Sequence, residues 1–199
     1  MSQKWSEPDA APRCWWPDGL AGADPEMVEY HDTEWGVPVS DDRALFERLA
    51  LEGFQAGLSW ATILHKRTAF RRAFADFEPE AVAAFGDVDR QRLLADAGIV
   101  RNGAKIDATI ANAALLLALA TEHGSFEAYL ASRLPRRAPT MNSGSGRHDV
   151  PITTAESDAL SADLRRHGFR FVGSTIVYSF MQSVGLVDDH IPCCFRYRG

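Results

Sequence analysis

The 199 residues are 46% hydrophobic and 24% charged, with a net charge of −6, which excludes a disordered chain and allows one domain over 1–199 or two intimately packed lobes. No apolar run approaches the roughly 18 to 20 residues of a membrane span, and Lys4, Glu7, Asp9 and Arg13 break any leader-like stretch, so a cytoplasmic protein without membrane contact is expected. Three cysteines, two of them adjacent at Cys193 and Cys194, make a poor disulfide framework and are better suited to thiols or metal ligands.

Taken in chain order, the pattern is helical nearly throughout. Ser40-Asp41 offers an N-cap for a helix carrying Leu45, Phe46 and Leu49 to about Gly53. Trp60, Ile63, Leu64, Phe70 and Phe74 read as a second amphipathic helix, with Lys66, Arg67, Arg71 and Arg72 on its polar face. Pro79 suits the first turn of a short third helix. A fourth runs from Asp87 to Ala97, with Gly98 as a left-handed cap. After the tight connection Ile99–Gly103, a long helix from Ala104 to His123 stops at Gly124. Residues 135–154, with Asn142-Ser143-Gly144-Ser145-Gly146, read as a flexible surface loop. Helices over Ala155–His167 and Ser174–Ser183 complete the chain, the second apolar enough to lie at the centre of the core. No sheet and no internal repeat is expected.

Three constellations carry chemistry. Cys14 and His31 near one end, with His190 and Cys194 near the other, would staple both ends of the chain to one tetrahedral zinc. Only His190-x3-Cys194 has the usual local spacing, so taken alone each Cys also reads as a small buried hydrophobe. The second is AGIVRNGAK at 97–105, a glycine-bounded connection before a helix N-terminus, where outward backbone N–H groups bind phosphate. Flanked by Arg101 and Lys105, it has the look of a helix-hairpin-helix element, although an ordinary helix-helix turn has the same signature. Further basic residues at Arg133, Arg136, Arg137, Arg165, Arg166 and Arg170 permit a basic surface despite the acidic total.

The third is Glu52 in LEGFQAGLSW, accompanied by Trp15, Trp16, Tyr30, Trp35 and Trp60. Trp15 and Trp35 read as core. Glu52 sits near a helix C-terminus among apolar neighbours, where both the dipole and desolvation disfavour a carboxylate, so a plain solvent-facing role is unnatural.

With these residues in view, the chain resembles the 3-methyladenine DNA glycosylase I family. The resemblance rests on YHDTEWGVP at 30–38, LEGFQAGLSW at 51–60, AGIVRNGAK at 97–105 and GFRFVGSTIVYSFMQ at 168–182, followed by Asp189-His190. It covers roughly residues 14–194 and is weakest over 121–152. It implies an all-α, helix-hairpin-helix glycosylase-like fold with the termini stapled by one structural zinc, and excision of 3-methyladenine from alkylated double-stranded DNA. Carried over by position, the zinc ligands are Cys14, His31, His190 and Cys194, with Cys193 as the adjacent alternative. Glu52 falls on the base-recognising carboxylate, Tyr30 and Trp60 on stacking walls, and Trp16 on a further pocket aromatic. The DNA contacts are Gly98, Arg101, Gly103 and Lys105, with Leu58 as candidate wedge, although on sequence alone core packing is the commoner role for such a leucine. Met27 stands where the resemblance implies a second pocket tyrosine.

Methylation at N3 makes adenine cationic and weakens its bond to the sugar, so little acid catalysis is needed. The work lies in flipping the nucleotide out and discriminating a cation from neutral adenine. No lysine lies in the pocket motifs to form a Schiff base, so no strand cleavage is expected. A monomer without a protein partner is expected. The alternative class is a non-enzymatic, zinc-stapled helical DNA-binding module, which would have no use for Glu52 among aromatics.

Overall fold

In the computed structural model, residues 12–17, 24–134 and 150–198 are described, and among them the regular structure is helical. The elements are α1 (Pro25–Thr33), α2 (Asp42–Gln55), α3 (Trp60–Leu64), α4 (Arg67–Ala73), a 3-10 turn (Ala75–Phe77), α5 (Pro79–Ala83), α6 (Asp87–Ala95), α7 (Gly103–His123), α8 (Phe126–Arg133), α9 (Ala155–Arg166) and α10 (Ser174–Ser183).

Local chemistry explains most boundaries. Asp41 caps α2 by accepting from the Ala44 N–H at 2.8 Å, Ser59 caps α3, Asn102 caps α7, and Thr154 caps α9 in a reciprocal box with Ser157. The single helix expected from Trp60 to Phe74 is two, broken at His65 and Lys66. Gly98 is not a left-handed cap: α6 already ends at Ala95, and the Asp96 carboxylate accepts from the Gly98 N–H at 2.7 Å. Gly124 is left-handed, with φ +91°. Helices α1 and α8 lie outside the elements expected from the pattern and are opened by the caps Asp24, before Pro25, and Ser125. The Asp42 carboxylate also reaches the start of α8, accepting from the Phe126 and Glu127 N–H groups at 2.8 and 3.0 Å. The surface loop expected over 135–154 lies outside the described residues up to 149.

The main core joins Leu45, Phe46, Phe54, Phe70 and Phe74 to residues of α7, α8, α9 and α10. Helix α10 packs on both α2 and α9, and α7 packs on α5 and α8. Helix α7 is long and apolar enough to cross a membrane by length and composition, yet Ile106, Ala113, Leu116 and Leu119 are buried in this core.

A smaller cluster holds Cys14, Tyr30, Trp35, Leu64, Ile191 and Cys194, with Trp16, Met27 and Trp60 against it. It is assembled by long-range backbone pairing. The Phe195 N–H donates to the Pro12 carbonyl at 2.9 Å, and the segment after α1 docks on the end of α10 through Gly36 N–H to Gln182 O at 3.0 Å and Val39 N–H to Val184 O at 3.1 Å. Gly185 permits that docking: its φ is +69°, and a Cβ would stand 2.5 Å from the Pro38 nitrogen.

Candidate base-binding cavity and metal centre

A cavity of about 300 Å³ opens between α1, α2, α10 and the two chain-end segments, and Trp16, Tyr30, Glu52, Gln55, Trp60 and Gln182 are among its lining residues. Its walls are aromatic. Tyr30 and Trp60 lie 5.1 Å apart between ring centroids, and Trp16 lies 6.2 Å from Tyr30 and 5.1 Å from Trp35. Met27 lines the same space. Trp15 and Trp35, read as core from sequence, also line it, and Trp15 is exposed.

Glu52, in the last turn of α2, is only 4% exposed. Its Oε2 finds no hydrogen-bond partner among the described residues, and neither do the indole N–H groups of Trp16 and Trp60. Burial pushes the Glu52 carboxyl up to about 8, against a smaller downward pull from Arg48. Such groups are costly in a finished core and are the usual mark of a site awaiting a polar ligand. Gln182 and Asp189 were not singled out as pocket residues. The Tyr178 hydroxyl and the Gln182 amide both donate to the Asp189 carboxylate, the latter at 2.7 Å, which fixes the part of the lining opposite in sequence to Glu52. Arg48 also escaped notice, although it stands one helical turn before Glu52, a spacing that brings side chains together.

Beside this cavity, Cys14, His31, His190 and Cys194 bring four donor atoms within 4.8 Å of one another, all buried, forming a group able to hold a metal ion. Cys194 lies in this group and Cys193 is exposed. The Cys194 sulfur is 3.5 Å from both His31 Nε2 and His190 Nδ1, and Cys14 Sγ is 3.6 Å from His190 Nδ1. The outward ring nitrogens are occupied: His31 Nδ1–H donates to Asp32 at 2.8 Å, and His190 Nε2–H to the Trp35 carbonyl at 3.3 Å. Arg13 holds Asp32 in turn at 2.7 to 3.0 Å. Each imidazole therefore turns its lone pair inwards, as a ligating histidine does. Desolvation pushes Cys14 up to about 12 and His190 down to about 4. The pocket thus resists charge on its own ligands, a balance that a divalent cation reverses.

The α6–α7 connection splits the expected DNA-contacting residues. Arg101 is exposed and Gly103 opens α7. Gly98 is tucked against α4, its carbonyl and that of Ala97 each accepting from Lys66 Nζ at 3.2 Å. Lys105 does not present its charge outwards. It is 7% exposed, and its Nζ donates to the Phe54 and Ala56 carbonyls at 2.8 and 2.6 Å, because the C-terminal carbonyls of α2 attract a cation. Leu58 is 42% exposed, in the turn between the cavity-lining Gln55 and Trp60, and so is not core.

The sequence model described as methyladenine glycosylase matches residues 20–197. The DNA-3-methyladenine glycosylase 1 of Escherichia coli (strain K12) is 44% identical over 187 residues, which is 94% of this chain and 97% of that protein. Among solved structures, a crystal structure of 3-methyladenine DNA glycosylase I has a TM-score of 0.87 at 45% identity, covering 94% of this chain and all of that one. The Staphylococcus aureus 3-methyladenine DNA glycosylase I, solved for its recognition of 3-methyladenine, has a TM-score of 0.83 at 37% identity over 90% of this chain and 95% of that one.

Proposed function

The chain belongs to the methyladenine glycosylase family, and from that premise we propose how its residues excise 3-methyladenine from alkylated DNA. It is a DNA repair glycosylase that hydrolyses the bond between the methylated base and its sugar. The observation that carries the reading is Glu52: a buried carboxyl, with one oxygen unpartnered among the described residues, inside a cavity of tryptophan and tyrosine. The relatives matched nearly end to end are named as glycosylases, which displaces the non-enzymatic DNA-binding alternative.

The flipped 3-methyladenine enters between Tyr30 and Trp60, whose rings attract a cation by about 0.5–2 kcal/mol each in a desolvated site. Glu52 accepts hydrogen bonds from the amino edge of the base. Burial, which the position of Glu52 among apolar neighbours already implied, leaves it largely protonated at neutral pH when no cation is bound. The positive base supplies the missing partner: an opposite charge within 4–6 Å lowers a carboxyl by about one to three units. Glu52 therefore ionises as a cationic base arrives. A neutral adenine offers no such compensation, and this is the source of discrimination. Because the cationic base already departs readily, positioning and charge recognition do most of the work.

On DNA, the α6–α7 hairpin acts as a helix-hairpin-helix grip on duplex backbone, with Arg101 as the phosphate contact and Gly103 opening the α7 N-terminus, while Gly98 serves the hairpin from inside, its missing Cβ letting the turn pack on Ala69 of α4. Leu58 fills the gap left by the flipped nucleotide. Trp16 closes the base pocket. The Cys14, His31, His190 and Cys194 group would hold one structural zinc. Two buried thiols and two imidazoles with inward lone pairs, sulfur to nitrogen 3.5 to 3.6 Å apart in three pairs, are a donor set that suits that ion. With four protein ligands the ion would have no open position for catalysis. It would supply cross-linking of the chain ends that carry Trp16 and Asp189 to the cavity. The enzyme works as a monomer in one helical domain and leaves the abasic strand uncut.

The test is release of free base from methylated duplex DNA, followed by chromatography. Wild type releases 3-methyladenine, and Glu52→Ala falls by at least a hundredfold while still folding. Equal release by the two proteins overturns the role of Glu52.

A further inference from the structure

Arg48 lies on α2 one turn before Glu52, and its guanidinium sits 5.4 Å from the centroid of the Tyr30 ring. It does not line the cavity itself. It pairs with Glu34, and the same Glu34 oxygen accepts from Arg67 Nη1 at 2.7 Å. Two guanidinium charges therefore share one carboxylate. The next acid along α2, Glu47, is taken by Arg71 at 2.8 Å. The cluster behind the Tyr30 wall thus carries one uncompensated positive charge.

Resting on the reading of Glu52 given above, we propose that Arg48 is a positioning residue of the base pocket, which braces the Tyr30 wall and sets the electrostatic field at Glu52 from within the same helix.

The charged groups around Tyr30 are few: Glu52 and Arg48 come from α2, Glu34 from the turn after α1, and Arg67 from α4. Asp189 lines the same cavity but is engaged by Tyr178 and Gln182. Lys105 of α7 is committed to the carbonyls at the end of α2. Of these, Arg48 is the one that favours the ionised form of Glu52, working against burial. An ionised Glu52 also balances the spare charge of the Arg48–Glu34–Arg67 trio. The arrangement keeps Glu52 poised: neutral enough to sit in an empty cavity, yet close enough to ionisation for a cationic base to tip it. Glu34 is the tuning element of the trio, since removing its negative charge must strengthen the field that removing Arg48 abolishes.

The experiment follows the carboxyl carbon of Glu52 against pH by NMR in full-length protein with 13C-labelled glutamate. It uses wild type, Arg48→Met, Arg48→Lys and Glu34→Gln, with single-turnover excision from methylated duplex DNA over the same range. Arg48→Met raises the Glu52 midpoint by about one unit or more. It also slows excision at pH 7 about tenfold, a gap that closes above pH about 10. Arg48→Lys restores most of both, and Glu34→Gln moves the midpoint the other way. A folded Arg48→Met with an unmoved midpoint overturns the proposal. Should that variant not fold, an unchanged or raised midpoint in Glu34→Gln does the same. If the midpoints move as stated while excision stays constant, the assignment of Arg48 stands and the part given to Glu52 in base excision falls.

Discussion

The ammonium of Lys105, in the first turn of α7, donates to the carbonyl of Phe54 at 2.8 Å, near the end of α2. A second bond to Ala56 at 2.6 Å completes the clamp. It ties the proposed DNA-gripping hairpin to the helix that carries Glu52. Lys105→Met leaves those carbonyls unpaired in a buried place and costs about 1–3 kcal/mol of stability. Denaturant unfolding checks this. In the same variant, excision from DNA falls further than affinity for free 3-methyladenine measured by calorimetry.

Arg101 differs from Lys105 in being exposed, and its substitution separates DNA binding from folding. Arg101→Ala weakens binding to duplex DNA of any sequence and reduces the slope of log affinity against log salt by about 1. Its melting temperature equals that of wild type. A salt titration by fluorescence anisotropy reads the slope, and an unchanged slope removes Arg101 from the interface.

The buried carboxyl of Glu52 makes stability depend on pH. Its folded value of about 8 exceeds its ordinary 4.5, so between those limits the folded chain holds a proton that the unfolded chain has lost. The contribution is complete below pH about 4.5, shrinks as pH rises, and is lost once pH passes about 8. Glu52→Gln removes this dependence. Relative to wild type it is more stable by a few kcal/mol at pH 9, with no gain at pH 4. Paired urea melts at the two pH values decide it, and a gain of equal size at both contradicts the burial argument.

The Cys/His group predicts a sharp contrast between neighbours. Cys194→Ser removes a buried donor and lowers the melting temperature by ten degrees or more, with metal content falling below one zinc per chain. Cys193→Ser, at the exposed neighbour, changes neither. Elemental analysis of dialysed protein gives the content. A strong chelator should reproduce the Cys194→Ser melting curve in wild type, since metal binding and folding are coupled at such sites.

Leu58 separates flipping from recognition. Exposed between Gln55 and Trp60, it contributes little to the core, so Leu58→Ala keeps wild-type stability within about 0.5 kcal/mol. Excision from duplex falls at least tenfold, whereas excision from single-stranded DNA, where no stack is opened, falls much less. Equal losses on both substrates rule out a wedge.

Much of the helical order was legible in the chain because it is written locally. Asp41, Pro79 and Gly124 mark their boundaries through caps and fixed dihedrals, and the apolar stripe of α10 announces a central helix. Where the local signal is a lone cap the pattern is silent, as at α1 and α8, and no residue between Trp60 and Phe74 announces the break at His65 and Lys66. The residues of the candidate cavity were legible through long segments containing Glu52, Tyr30 and Trp60, which the fold brings to one lining.

The sequence alone therefore determined most of the helices, the family and the residue types available for a cation pocket and a metal group. Tertiary structure decided which side chains face which way. Lys105 turned inward because helix α2 ends beside it, and Cys194 joined the cluster while Cys193 faced out. Arg48 came to share Glu34 with Arg67, a residue nineteen positions further along the chain. Charge and burial at Glu52 belong to this second class: desolvation and Coulomb fields depend on distances between groups remote in sequence, and no local pattern encodes them.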